Sequence, residues 1–133
     1  MLEKEKNLQK KSTIDVLNII AQSIYDKKGA NILAIDVSGI SSLCDHVIIA
    51  EGMHPKHNIA IANNMIKELS KNNIKPFYHE GMSLGDWIVL DFFDILVHLF
   101  VTEVREKYSI ENLYREGNIV DLKIIESTLA ENN

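Results

Sequence analysis

At 133 residues, with 46% hydrophobic and 25% charged side chains, the chain has material for one compact domain around one core and too little for a second. Its 14 Lys+Arg against 19 Asp+Glu give a formal charge of -5, which argues against holding nucleic acid mainly by neutralising phosphates and fits a basic protein partner better. A single cysteine, Cys44, excludes an internal disulfide framework and cannot alone make a zinc site, and no stretch is apolar for long enough to act as a signal or to span a bilayer, so the cytoplasm is the simplest address and no membrane contact is expected.

Residues 1-11 carry Lys4, Lys6, Lys10 and Lys11 against Glu3 and Glu5 without periodicity, and are expected to form a flexible extension. The remainder then holds 10 basic and 17 acidic residues, a formal -7. Ser12 offers a hydroxyl N-cap with Asp15 three positions on, and Ile14, Leu17, Ala21 and Ile24 follow at helical spacing. Gly29 is expected to end this first helix in the left-handed conformation. Residues 31-37 and 46-50 are short β-branched runs that read as strands with both faces buried. Pro55 suits a first helical turn, and Ile59, Ala62, Ile66 and Leu69 line one side of a second helix that should lie across the sheet. Ile74 to Glu80 reads as a third strand, with Pro76 suggesting an edge.

The strongest β signal is the pair 87-92 and 95-101, joined across Phe93-Asp94 as an antiparallel hairpin. Thr102 is expected to cap a short helix through Tyr108, and Ser109 to restart another that Gly117 ends. The tail 118-133 has an apolar patch at Ile119, Val120, Leu122, Ile124 and Ile125 that the pattern does not place. The element order gives an α/β (α+β) domain over 12-117 with a mixed five-stranded sheet and helices packed on it.

Candidate chemistry is sparse. His54 and His57 have a suggestive spacing, but a closed metal site would need further ligands brought by folding from His79, His98 or a carboxylate. Asp91 and Asp94 bracket the hairpin turn three apart, whereas two carboxylates sharing one strand face would sit two apart; Asp94 reads as a turn former. His98 lies inside an apolar strand and reads as a core histidine with one hydrogen-bonded nitrogen, and Cys44 as a loop thiol. The glycines match neither a phosphate loop nor a dinucleotide fingerprint. Trp87, the only tryptophan, either closes one end of the core or, with Met82 and Leu84 in the preceding loop, anchors an adaptable binding surface.

The ordered run Asp45-His46-Val47-Ile48-Ile49-Ala50, Gly52, His57, Ala60, Ala62, Ile74-Lys75-Pro76, Glu80-Gly81, Gly85-Asp86-Trp87-Ile88-Val89-Leu90-Asp91 and Asp94 through Phe100 resembles the signature of the ribosomal silencing factor (Iojap-like) family. The likeness continues through Glu103-Val104-Arg105-Glu106-Lys107-Tyr108 and Leu113-Tyr114, about residues 12-115 in all. It implies an αβ sandwich like the nucleotidyltransferase fold without its catalytic carboxylates, no enzymatic activity, no cofactor and no metal. It also implies a homodimer when free, and a monomer docked on protein fourteen of the large ribosomal subunit that sterically blocks the small subunit, with no direct sequence-specific nucleic-acid contact. Carried over by position, the partner-facing residues would be Met82, Trp87, Ile88, Asp91, His98, Glu103 and Arg105. Two departures stand out: Met53-His54-Pro55-Lys56-His57 replaces the family's usual Thr-Ser-Ser-Arg-His run, and His46 its usual aromatic. The competing readings are a metal-dependent nucleotidyltransferase-like enzyme using Asp91, Asp94, His54 and His57, a large-subunit assembly factor, and a module serving only self-association.

Overall fold

The computed structural model of the protein describes residues 11-126, so the flexible extension expected over 1-11 falls outside it except for Lys11, as do residues 127-133 of the tail. Helix α1 spans Thr13–Asp26, β1 Ala30–Asp36, β2 His46–Gly52, α2 Pro55–Ser70, β3 Tyr78–Glu80, β4 Trp87–Asp91, β5 Ile95–Val101 and α3 Thr102–Tyr108. A 3-10 turn at Ile110–Tyr114 and a two-residue strand β6, Asn118–Ile119, complete it. The sheet runs β3-β4-β5-β2-β1-β6, with β2 and β5 parallel at the centre and the other neighbours antiparallel. Covered on both faces, β2 and β5 read as nearly unbroken apolar runs.

The five strands expected become six. Asn118 and Ile119 pair with Asp36 and Ile35, and Val120 N–H donates to Ala34 O at 2.9 Å, so the segment after Gly117 forms an edge of the sheet. A two-residue strand has no alternation of its own to betray it; the edge of β1 supplies the order.

Local signals account for most element ends. Ser12 accepts from Asp15 N–H at 3.1 Å and starts α1. The stop differs from the expectation: Lys28 takes the positive φ of 69°, while Gly29 is needed because a Cβ there would collide with the Ile24 side chain. Thr102 is likewise the first residue of α3 and not its cap; Val101 holds that position, and the Thr102 hydroxyl donates to Glu51 Oε1 at 2.8 Å.

Helices α1 and α2 cover one face of the sheet. Leu17, Ile20 and Ile24 of α1 and Ile61, Met65 and Leu69 of α2 meet Ile48, Ala50, Ile88, Leu90, Val97 and Leu99 in the larger core. Each such side chain fully withdrawn from water contributes about 1.5–3 kcal/mol, so this layer holds the fold. The opposite face buries Ile35, Val37, Cys44, Val47, Ile49, Phe100 and Ile110 under α3 and the 3-10 turn, with Leu33, Trp87 and Leu96 only partly covered.

Candidate functional site: the sheet face beside α3

Alternation along β4 sends Trp87, Val89 and Asp91 to the α3 side and Ile88 and Leu90 to the helix side. The register Trp87↔Phe100 and Val89↔His98 sets Trp87, His98 and Phe100 on one face. The Trp87 indole N–H donates to His98 Nδ1 at 3.0 Å. Its ring lies 4.8 Å from Phe100 and 5.1 Å from Tyr108 of α3. Trp87 stays half-buried, Tyr108 is exposed, and His98 is only 7% exposed. Burial pulls the His98 pKa from its ordinary 6.5 to about 4, so the ring is neutral near pH 7.

The same face contains an ionic knot. Arg105 donates to Glu51 Oε2 at 2.9 Å, Asn31 O at 2.7 Å and Glu111 Oε2 at 3.3 Å, with side-chain exposures of 10% for Arg105 and 12% for Glu51. It ties α3 and the 3-10 turn to β2 and to the start of β1.

The residues carried over by resemblance are therefore only partly together. Trp87, Asp91 and His98 share the α3 face, and Glu103 is exposed on the first turn of α3. Ile88 has no exposed surface and points to the helix side. Arg105 is buried and engaged by internal partners. Met82 is half-buried against the helix-side core, away from the cluster that receives Trp87. Ile88 and Arg105 thus offer little or no surface for a partner to touch.

The loop that carries Met82 is held, not adaptable. Gly85 N–H donates to Gly81 O at 2.8 Å, both glycines have positive φ, and the buried Asn58 of α2 donates to Gly85 O at 2.9 Å. A Cβ on Gly52 would collide with Asn58, and one on Gly85 would lie 2.5 Å from Pro55 O. The sequence reading missed Asn58; an asparagine at the start of α2, facing two otherwise unexplained glycines, was its only signal.

The residues offered for catalysis have structural duties. His54 is the N-cap of α2, its Nδ1 accepting from His57 N–H at 3.1 Å. His57 accepts from Met53 N–H at 2.9 Å on Nδ1, and its Nε2 donates to Lys27 O at 2.6 Å. The departure at Met53-His57 thus keeps a capped helix and bolts it to the end of α1. Asp91 Oδ1 accepts from Phe93 N–H at 2.8 Å across the hairpin turn. Cys44 lies on the loop between β1 and β2, as expected, but with its thiol buried in the α3-side core, which raises its pKa and leaves it a poor nucleophile. Among the described residues no group of three or more His, Cys, Asp or Glu is placed to hold a metal, and no helix is long and apolar enough to cross a membrane.

Residues 10–133 match the family model described as "Ribosomal silencing factor during starvation". The chain belongs to the ribosomal silencing factor family. It is 33% identical over 107 residues to ribosomal silencing factor RsfS of Bacillus subtilis (strain 168), covering 80% of this chain and 91% of that one. Against the RsfS of Haemophilus influenzae it is 33% identical over 99 residues, 74% and 97% of the two chains. A mouse protein named for mitochondrial assembly of the ribosomal large subunit is 25% identical over 120 residues, 86% of this chain and 53% of that one. A crystal structure from Chromobacterium violaceum superimposes with a TM-score of 0.77 at 26% identity, covering 88% and 97%. One from Bacillus halodurans gives 0.72 at 29%, covering 81% and 98%.

Proposed function

We propose that this ribosomal silencing factor acts in the cytoplasm as a non-enzymatic translation repressor that binds protein fourteen of the large subunit and sterically keeps the small subunit from joining. Its partner surface is the α3-side sheet face around Trp87, Asp91 and His98, with Glu103 at the rim and with Ile88, Arg105 and Met82 holding that face in place. The free protein is a homodimer, and its layout is that of a nucleotidyltransferase-like sandwich stripped of catalytic carboxylates. The observation that carries the reading is a half-buried lone tryptophan, clamped by three aromatic rings, on a sheet face that no long helix of the described residues covers. Such rigid aromatic centres are how binding hot spots are built, and the acidic charge suits a basic ribosomal protein.

The test is co-sedimentation with separated large and small subunits, followed by addition of the missing subunit. Selective binding to the large subunit with joining suppressed is the expected result; binding to neither sinks the reading. Trp87→Ala should weaken large-subunit binding by about 2 kcal/mol or more, measured by titration on folded protein. The mouse relative favours a second role, large-subunit assembly, which accumulation of immature subunits in a deletion strain would reveal.

A further inference from the structure

We propose that His98 is a positioning residue: by accepting the Trp87 indole N–H on Nδ1, it fixes the ring and restricts the site to partners that engage Trp87 through ring contact. The inference rests on the reading of the α3-side face as the partner surface. It adds a statement about the partner's chemistry, since an indole whose N–H is already bonded has no donor left for an incoming carbonyl or carboxylate.

The geometry leaves His98 little freedom. Trp87 Nε1 can only donate, so at 3.0 Å the facing Nδ1 must be unprotonated and the neutral ring must carry its proton on Nε2. The His98 ring stacks on Phe100, 5.9 Å between centroids and 10° between planes, which fixes its orientation along β5. Trp87 is then held from β5 by the hydrogen bond and by Phe100, and from α3 by Tyr108. Burial keeps the imidazole neutral at physiological pH, so the acceptor is permanently available. What Trp87 shows to solvent is ring carbon and π surface. With Asp91 on the same face, the fitting counterpart is a lysine or arginine laid along the ring by its aliphatic stem.

The experiment uses the full-length, nitrogen-15-labelled protein, in which one tryptophan gives one indole signal. In the wild type, the His98 ring spectrum should show a bare Nδ1 and a protonated Nε2; a protonated Nδ1 overturns the proposal without any mutation. His98→Leu removes the acceptor, whereas His98→Asn keeps a carbonyl oxygen near the place of Nδ1. His98→Leu should shift the indole signal upfield, speed its solvent exchange and lower large-subunit affinity about five- to ten-fold, the loss expected for one hydrogen bond. His98→Asn should restore both signal and affinity to within about two-fold, which a merely space-filling histidine would not require. An unchanged indole signal in folded His98→Leu, or no rescue by His98→Asn, overturns the positioning role. Wild-type protein that shows the expected tautomer but binds no subunit would instead remove the ribosome reading and leave the hydrogen bond standing.

Discussion

Toward α1 and α2 the sheet presents Ala34, Ile48, Ala50, Ile88, Leu90, Val97 and Leu99, whereas its α3 side mixes Val47, Ile49 and Phe100 with a buried histidine and a buried arginine. The first layer is stabilised by area alone and tolerates any partner of the right shape. The second depends on specific pairings, because a buried polar group without its partner costs more than the pairing gains. One sheet therefore separates the two tasks. The helix side supplies stability, and the α3 side holds a surface in one arrangement.

Arg105 gives the largest test of that division. Removing it in Arg105→Ala would leave the Glu51 carboxylate, with a side chain 12% exposed, without its counter-charge and held only by the Asn31 amide and the Thr102 hydroxyl. The expected cost is about 3–5 kcal/mol in chemical denaturation. Subunit binding should fall only in step with the folded fraction, because the guanidinium faces inward. Arg105→Ala protein that keeps full stability while losing binding would mean that this face is a contact surface throughout and that the division is wrong.

His98 sharpens the comparison through pH. Its folded pKa of about 4 lies below the ordinary 6.5 expected when unfolded. Below pH 6.5 the unfolded chain therefore takes up a proton that the folded chain refuses. The stability associated with the neutral ring is complete above about 6.5 and disappears as pH falls through about 4, on the order of 3 kcal/mol in all. Denaturation curves between pH 7 and pH 4 should slope less in His98→Asn than in the wild type. Equal slopes would show that the site is not the dry pairing described.

What could be read in advance was what neighbouring residues decide. The Ser12 cap, Pro55 at the start of α2 and the 87-101 hairpin are local patterns, and each is present. Of the seven residues carried over by likeness, the register of β4 and β5 sets Trp87, Asp91 and His98 on a common face, which no local pattern announced. The burial of Arg105 was illegible because its partner Glu51 lies 54 residues away. His54 and His57 looked like ligands because histidine is the same residue whether it binds metal or a backbone amide. Only the position of Lys27 O and Met53 N–H decides between the two uses.

The smallest expected effect belongs to the strap, where the helix side borrows a device from the other face. Beyond β6 the chain alternates inward Val120, Leu122 and Ile124 with outward Asp121, Lys123 and Ile125, like a strand without a neighbour. Its partner is a helix. Asn18 Oδ1 accepts from Lys123 N–H at 2.8 Å, and the Gln22 amide both accepts from Ile125 N–H at 2.7 Å and donates to Ile125 O at 2.9 Å. Side chains one helical turn apart thus stand in for a sheet ladder and close the flank between α1 and β1. Gln22→Ala removes bonds at an exposed site where water can replace them, so the global cost should be only about 1 kcal/mol. The local effect is larger: the Ile125 amide should exchange with solvent many times faster while the amides of β2 keep their protection. If β2 loses protection to the same extent, the strap is part of the main cooperative unit, and the helix side owes its stability to more than buried area.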